Sequence, residues 1–265
     1  MEERIKNSNV WALILGGSTG LGLATAKKLA QKGYHIIIIH RDRRSDMDEI
    51  DAGFNEIRNM DRNLISMNMD AFNPDKRSAA IIDLQNRLPQ GHHIKVMVHS
   101  VAKGTLKPMH SNEASTLVNT DFKITLEAMA LSLYDWTKAL INANVFAEDT
   151  RIISFTSEGN IRALPNYGAV SVAKVALEAL TRNMALEFAP LGIKANCIQA
   201  GVTLTKSLKM IPGYESIKRH ALSRNPNKRL TTPEDVANAV YLLTLEEAKW
   251  ITGTVIKVDG GESLQ

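Results

Sequence analysis

The stretch VWALILGGSTGLG, residues 10–22, decides the predicted fold. Residues 10–15 form a short apolar run typical of a buried strand, and a glycine-rich segment follows directly. Glycines there allow a tight turn, and the N-terminus of the next helix offers amide donors to a pyrophosphate. Strand, glycine loop and helix in this order predict a dinucleotide site, with an unliganded glycine-rich turn as the alternative. The cofactor contacts predicted in this stretch are Gly16, Ser18, Thr19, Gly20, Leu21 and Gly22.

Short apolar runs alternate with longer amphipathic segments along the rest of the chain. The apolar runs are too short for helices and several are rich in Val and Ile, which predicts buried strands. The longer segments have helical periodicity and start signals such as Asn73-Pro74. This pattern predicts an α/β fold, a single Rossmann-type domain over residues 1–265 with a doubly wound parallel sheet and helices on both faces. Seven strands are predicted, at about 10–15, 35–39, 64–67, 94–98, 151–155, 193–198 and 254–258, with helices at 21–31, 74–88, 114–144, 167–188 and 233–244.

Composition limits the class of protein. The 265 residues are 44% hydrophobic and 23% charged, as in an ordinary globular protein. The first ten residues are mixed in charge and precede only a short apolar run, which argues against a signal peptide or a membrane span and favours a cytoplasmic protein. The net charge of +4 comes from scattered basic residues without interleaved aromatics, so no nucleic-acid partner is expected. A phosphorylated cofactor or an acidic partner would explain this charge as well.

The cysteine and the histidines predict neither a disulfide nor a metal site. Cys197 has no partner for an internal disulfide and lies in the apolar segment IKANCI, which predicts a buried, inert thiol. His92, His93 and His110 lack the spacing and the carboxylate neighbours of a metal site. For His99, after the fourth predicted strand, a packed and hydrogen-bonded side chain is favoured over a catalytic one.

The segment HRDRR, residues 40–44, follows the second predicted strand and bears on the cofactor. An acidic residue there accepts from the adenosine ribose of NAD, whereas an arginine pairs with the 2′-phosphate of NADP. His40 holds the acidic position and Arg41 follows, which favours NADPH over NADH, although Asp42 keeps NAD open and a solvated basic turn is the alternative. Asp70, after the third strand, is placed to accept from the adenine amino group or to cap the next helix.

The segment PNYGAVSVAK, residues 165–174, supplies the candidate catalytic pair. Tyr167 and Lys174 are seven residues apart, or two helical turns, so both side chains can reach one ligand. A neighbouring lysine favours the phenolate and offers three donors to a ribose. An arbitrary pair of this kind is more often a core tyrosine and a solvated lysine. The rest of the chain favours the catalytic interpretation.

These motifs resemble the short-chain dehydrogenase/reductase family over residues 10–261. The glycine loop, the Tyr/Lys segment and TGTVIKVDGG, residues 252–261, carry the resemblance. Usual members place the catalytic tyrosine four residues before the lysine, where this chain has Val170. Its tyrosine lies seven before, as in the enoyl-[acyl-carrier-protein] reductase branch. The resemblance implies that Lys174 holds the nicotinamide ribose, with further cofactor contacts at Ser100, Val101, Ala102, Gly201, Thr203 and Thr205.

Other segments are similar to the same branch. VHSVA, residues 98–102, replaces the asparagine-rich segment usual after the fourth strand. Met129 lies at the estimated position of the usual catalytic asparagine, which interrupts the usual proton relay. Ser157 stands where many enoyl reductases have a second tyrosine, and it either adds a donor or satisfies a backbone group in a turn. Thr205 either meets the cofactor or caps a helix.

Two departures from the usual patterns refine the resemblance. The glycine loop follows the ordinary family pattern, with Leu15 where threonine is usual, and Val202 replaces the proline usual after Ala200-Gly201. The chain is therefore most similar to the NADPH-dependent subclass of enoyl reductases that keeps the ordinary loop. The resemblance implies a homodimer or homotetramer that reduces the carbon–carbon double bond of an enoyl thioester in fatty-acid synthesis. The catalytic residues it implies are Tyr167, Lys174 and Ser157.

Two other functions stay open. A reductase of 3-oxoacyl thioesters or other ketones is the alternative, since Ser157 suits both reactions. A cofactor-sensing protein without enzymatic activity is the third interpretation, and the presence of both Tyr167 and Lys174 disfavours it.

Residues 203–229 are predicted to form a helical, mobile lid over the acyl site. The segment is interrupted by Pro212-Gly213 and Pro226, and lids that exclude water are commonly such insertions between core elements. It is also rich in lysine and arginine, which predicts contact with an acidic acyl carrier protein. A solvated basic helix is the alternative.

Overall fold

One parallel sheet organises the protein. The computed structural model describes residues 9–211 and 213–265, so residues 1–8 and Pro212, which bear on the predictions for the N-terminus and the lid, lie outside the described residues. The sheet has seven strands in the order β3-β2-β1-β4-β5-β6-β7, which confirms the predicted doubly wound α/β fold. The strands are β1 (Val10–Leu15), β2 (His35–His40), β3 (Leu64–Asn68), β4 (His93–His99), β5 (Phe146–Ser157), β6 (Ile193–Ala200) and β7 (Val255–Val258).

Helices cover both faces of this sheet, which is why the central strands are apolar throughout. On β1, Leu13 and Leu15 join one buried cluster while Ala12 and Ile14 join the other. Helical side chains from residues 74–87, 132–142 and 168–187 complete the first cluster, and those from residues 20–31, 47–58 and 233–244 complete the second. The helices are α1 (Gly20–Gln31), α2 (Met47–Arg58), α3 (Pro74–Arg87), α4 (Asn119–Leu126), α5 (Ser132–Asn142), α6 (Gly168–Glu187), α7 (Lys206–Lys209), α8 (Tyr214–Arg224) and α9 (Pro233–Thr244).

Two helical segments differ from the prediction. Helix α2 was not predicted, although Ile50, Phe54 and Ile57 recur at helical spacing and are buried against the sheet. The helix predicted over residues 114–144 is wrong in its continuity. It begins at Asn119, where the Asp121 carboxylate accepts from the Val118 amide at 3.0 Å, and a π-helical turn at Glu127–Leu131 separates α4 from α5.

The strand order places a crevice at the carboxyl ends of β1 and β4. Chain connections lead from β1 to β2 on one side and from β4 to β5 on the other, so this is the point at which open α/β sheets bind ligands. Two backbone bonds shape the crevice. The Gly16 amide donates to the Ile39 carbonyl and the Ser100 amide to the Leu15 carbonyl, both at 2.8 Å.

The sequence predicts no membrane span, and the length and composition of the helices bear on that prediction. Among the helices in residues 9–211 and 213–265, none combines the length and the apolar character needed to cross a bilayer.

Candidate active site

The glycine loop lies in the crevice between β1 and β4. A Cβ atom added to Gly16, whose φ is +80°, would lie 2.3 Å from the Ser100 carbonyl oxygen. A Cβ atom on Gly22 would lie 2.1 Å from the Gly16 carbonyl oxygen. Both positions therefore need glycine, because the loop folds back tightly on the start of α1 and on the segment after β4.

The N-terminus of α1 is suited to an anion. The N-cap side chain, Thr19, makes no capping hydrogen bond and the first turn has no acidic residue. The first turns of α3 and α9 differ, because Asn73 and Thr232 accept capping bonds there. Amide donors and the helix dipole at α1 thus face the crevice without a competing side chain. The tight loop and the uncapped turn fit the pyrophosphate of a dinucleotide.

The residues predicted to meet the adenosine half are close together. The Arg41 guanidinium contacts the Asp70 carboxylate at 2.7 Å, and Arg41 remains largely exposed. Asp70 also accepts from the Phe72 amide at 3.1 Å, whereas α3 is capped by Asn73. The alternative that Asp70 caps this helix is therefore wrong. His40 is buried and its Nδ1 lies 2.8 Å from the Asp42 carboxylate.

Tyr167 lies at the N-cap of α6 and not within the helix as predicted. The helix begins at Gly168, and the Tyr167 carbonyl oxygen accepts from the Ser171 amide at 2.8 Å. The preceding residue, Asn166, has a φ of +63°. Asparagine tolerates this left-handed conformation better than most side chains, and the resulting turn leads into the start of α6.

The Tyr167 hydroxyl lies 3.2 Å from the Ser157 hydroxyl, at the end of β5. Ser157 therefore faces the tyrosine, and the structure gives its side chain no bond to a turn backbone group of the kind considered from the sequence. Burial raises the pKa of Tyr167, and the hydrogen bond with Ser157 opposes this shift. At neutral pH the group is a phenol that can donate a hydrogen bond. The expectation that the site favours the phenolate is wrong for the ligand-free protein.

Lys174 is buried two turns into α6. Its Nζ donates to the Phe155 carbonyl oxygen at 2.6 Å. Burial lowers the pKa of Lys174 to about 8, while the charges of Cys197 and Glu178 oppose the shift. A lysine of this kind keeps its proton at neutral pH but holds it weakly, which suits a donor to a ribose hydroxyl.

A cavity of about 420 Å³ adjoins Tyr167 and Ser157. Met129, Val170 and Leu106 line one side of it, and Met129 lies on the π-helical turn. A Cβ atom on Gly104 would lie 2.6 Å from Val170 and 2.9 Å from the Met129 sulfur, so this side is tightly packed. The cavity wall at Met129 offers no group that can transfer a proton. Other predicted cofactor contacts in the lining are Leu21, Ala102, Gly201, Thr203 and Thr205.

The predicted lid does contain two helices, α7 and α8. Thr205 caps α7 by accepting from the Leu208 amide at 3.2 Å, which confirms the capping alternative. The same side chain also borders the glycine loop, since a Cβ atom on Gly20 would lie 3.5 Å from its methyl group. Lys206 extends from α7 to Glu49 on α2 at 2.7 Å. The lid therefore crosses over the mouth of the cofactor crevice.

The remaining candidates are structural. His99 is buried and its Nε2 lies 2.8 Å from the Ser132 hydroxyl, as predicted for a packed histidine. Burial and the neighbouring Lys174 charge lower the pKa of His99 to about 3. Cys197 is a buried free thiol, as predicted. No group of three or more potential metal ligands occurs among the residues described here.

Sequence reasoning missed the charged residues at this cavity, among them Glu158, Arg224 and Glu262. Arg224 and Glu262 are buried, and Arg224 pairs with Glu158. Their positions in the sequence lie far apart, so no spacing could have joined them. The only available signal was the departure at Val202, whose amide donates to the Glu262 carboxylate at 3.1 Å.

Known protein families agree with this geometry. Residues 16–263 match the model of a family described as "Enoyl-(Acyl carrier protein) reductase". The chain belongs to this family of short-chain dehydrogenases/reductases. The family resemblance inferred from the motifs is thus confirmed. The protein is therefore an oxidoreductase of a family that uses a nicotinamide dinucleotide.

Individual relatives of this reductase are distant. "Enoyl-[acyl-carrier-protein] reductase [NADH] FabI" of Buchnera aphidicola is 30% identical over 164 residues, which are 62% of each chain. "1-cyclohexenylcarbonyl-CoA reductase" of Streptomyces collinus is 26% identical over 258 residues, 96% of this chain and 86% of that one. The structure of an enoyl-(acyl-carrier-protein) reductase from Anaplasma phagocytophilum with NAD superimposes with a TM-score of 0.82 at 18% identity, covering 98% of this chain and 94% of that one. The last likeness concerns the fold alone.

Proposed function

We propose that this reductase transfers hydride from NADPH to the carbon–carbon double bond of an enoyl thioester. One observation carries the proposal. The Tyr167 hydroxyl, paired with Ser157 at 3.2 Å, adjoins a cavity whose wall at Met129 cannot relay protons. Both reactions consume one hydride and one proton. In ketone reduction the proton must reach the new alkoxide from the hydroxyl that binds it, and a relay must then replace the proton on that hydroxyl. In enoyl reduction the bound oxygen needs only a hydrogen bond, because water can protonate the α-carbon of the enolate.

The chain's residues divide this work between them. A bound nicotinamide would supply the hydride to the β-carbon of the substrate. The Tyr167 phenol, kept neutral by burial, donates a hydrogen bond to the thioester oxygen as negative charge collects there. Ser157 donates to or accepts from that phenol and fixes its direction. Lys174 would hold the nicotinamide ribose with its ammonium, the group that donates to the Phe155 carbonyl oxygen in this structure.

NADPH is the proposed cofactor because Arg41 is exposed at the end of β2, with His40 where an acidic residue would select NAD. Its pair with Asp70 involves one of the two terminal nitrogens of the guanidinium. The other donors can form charge-assisted bonds to a 2′-phosphate. Several relatives are named as NADH enzymes, so this selectivity would be a property of the present chain.

The relative from Streptomyces supports a thioester substrate, because its name describes the reduction of an unsaturated acyl-CoA. Fatty-acid synthesis on an acyl carrier protein is the role we propose here. Docking of this acidic carrier would use basic residues of the lid, among them Lys209, Lys218 and Arg219. We also propose a cytoplasmic homodimer or homotetramer. Exposed apolar side chains such as Trp250 and Leu186 support an assembly of this kind.

Ketone reduction is the second candidate function. The contact between Ser157 and Tyr167 favours it, since a serine beside the tyrosine can also bind a ketone oxygen. Crotonyl-CoA incubated with the protein and NADPH, followed by mass spectrometry of the product, separates the two. Formation of butyryl-CoA is expected. Unchanged crotonyl-CoA, together with reduction of acetoacetyl-CoA to the 3-hydroxy product, would favour the ketone reductase instead.

A further inference from the structure

Arg224, the last residue of α8, is buried beside two other segments of the chain. Its Nη2 donates to both carboxylate oxygens of Glu158, at 2.9 and 2.7 Å. Nη2 and Nε also donate to the Glu262 carbonyl oxygen, at 2.9 and 3.3 Å. A guanidinium this deeply buried needs such partners, because an unpaired charge away from water is strongly unfavourable. Arg224 therefore joins the lid both to the segment after Ser157 and to the C-terminal segment.

The side chain of Glu262 reaches the other end of the lid. One carboxylate oxygen accepts from the Val202 amide at 3.1 Å, and the other lies 3.8 Å from the Arg224 guanidinium. Burial raises the pKa of Glu262, and both of these contacts oppose the shift. A proline at residue 202 would have no amide to donate. Residue 202 directly precedes the lid and Arg224 ends α8 within it, so one buried carboxylate contacts both the start of the lid and the end of α8.

Glu158 lies between the two contacts that hold Tyr167. The preceding residue, Ser157, contacts the tyrosine hydroxyl. The following residue, Gly159, packs on the ring so closely that a Cβ atom there would lie 2.5 Å from the Tyr167 Cε1. A shift of the backbone at Glu158 would reach both residues that contact Tyr167, and the contact between Glu158 and Arg224 opposes such a shift.

A second contact runs parallel to the first. His220 lies one turn before Arg224 on α8, and its Nε2 is 3.0 Å from the Arg162 guanidinium. Arg162 lies four residues after Glu158 and approaches its carboxylate at 3.8 Å. One face of α8 therefore contacts the segment 158–162 at two points. This second contact is exposed, whereas Arg224 is buried and Glu158 half-buried, so losing the contact between Arg224 and Glu158 leaves the more poorly solvated charge.

We propose that Glu158, Arg224 and Glu262 form a clamp that fixes α8 of the lid and positions Tyr167. Arg224 is then a positioning residue, which acts on the reaction through Glu158 and Gly159. On this account α8 and segment 158–162 move as one body. This inference rests on the proposed role of Tyr167 as the oxyanion donor, but the clamp itself can be tested without activity.

Hydrogen exchange on the full-length, ligand-free protein tests the clamp. The variants are Arg224→Met, Glu158→Gln and the double variant, with Glu215→Gln as a control that alters an exposed carboxylate on the same helix. Each single change should raise exchange about tenfold in residues 157–167 and also in α8, and leave β1 and β4 unchanged. The double variant should resemble Arg224→Met, because Glu158→Gln weakens only a contact that Arg224→Met already removes. The control should behave as wild type.

Two results would overturn the clamp: exchange that rises in only one of the two segments, or single effects that add in the double variant. Glu158→Gln keeps an acceptor oxygen and so tests the idea even if Arg224→Met does not fold. Positioning of Tyr167 is tested by crotonyl-CoA turnover. Glu158→Gln should lower kcat about tenfold and change the Kd for NADPH less than twofold. An unchanged kcat beside raised exchange would overturn the positioning role. A wild type inactive on crotonyl-CoA would refute the proposed function but leave the exchange result standing.

Discussion

The cofactor crevice and the substrate cavity are built in different ways. Around the crevice, contacts are made by backbone atoms of neighbouring segments, as where Gly16 folds against the Ser100 carbonyl. Around the cavity, contacts are made by side chains from distant segments, such as Ser157, Tyr167 and Met129. Backbone geometry leaves few choices of residue, whereas side chains can be exchanged without altering the fold. The crevice thus follows the ordinary family pattern and the cavity departs from it.

The largest expected effect is on the cavity side of this comparison. Tyr167→Phe removes the donor to the developing oxyanion and should lower kcat for crotonyl-CoA about a hundredfold or more. The Kd for NADPH should stay within about twofold of wild type, because the phenol is assigned to the substrate. Stopped-flow kinetics and fluorescence titration measure the two. A variant with full kcat would remove Tyr167 from the mechanism.

Lys174 lies between the two regions, and its burial predicts an effect of pH on stability. Its pKa of about 8 in the folded protein is below that of the unfolded chain, so the unfolded state binds more protons between about pH 8 and 10.5. The contribution of Lys174 to stability should therefore rise with pH across this window. Lys174→Met lacks this gain. In urea unfolding, the free energy of unfolding of wild type minus that of Lys174→Met should therefore increase by roughly 3 kcal/mol between about pH 8 and 10.5. Parallel pH profiles would contradict the buried-ammonium assignment.

On the crevice side, Arg41→Ala tests the choice of cofactor. Loss of a charge-assisted bond to the 2′-phosphate should weaken NADPH binding about tenfold and NADH binding by less than twofold. Arg43→Ala, at a neighbouring exposed arginine, is the matched control. Equal losses for both nucleotides, or a wild type that binds NADH as tightly as NADPH, would count against NADPH selectivity.

The smallest effect concerns the basic lid. If an acyl carrier protein docks there, salt should raise KM for the carrier-linked substrate by a few-fold between about 0.05 and 0.3 M, since exposed charge pairs are screened at these concentrations. KM for crotonyl-CoA should change less under the same conditions. Identical salt dependence of KM for the two substrates would contradict docking of the carrier at the lid.

These two regions also differ in how far the sequence predicted them. The positions of the strands and the glycine loop followed from local patterns, because a turn at Gly16 and an apolar run in β1 constrain only adjacent residues. The clamp of Glu158, Arg224 and Glu262 did not, because it joins residues that only the fold brings together. The π-helical turn carrying Met129 was missed since apolar periodicity does not specify which carbonyl each amide bonds. The helical spacing of Ile50 and Ile57 does indicate helix α2, although the sequence prediction did not include it.

The ratio of kcat/KM for crotonyl-CoA to that for acetoacetyl-CoA, measured with NADPH at neutral pH, tests the central claim most directly. The cofactor crevice follows the ordinary family pattern, but the cavity wall at Met129 offers no proton relay. We therefore expect kcat/KM to favour the enoyl substrate by at least about tenfold. This is the predicted result. Brisk reduction of acetoacetyl-CoA with crotonyl-CoA left untouched would contradict it.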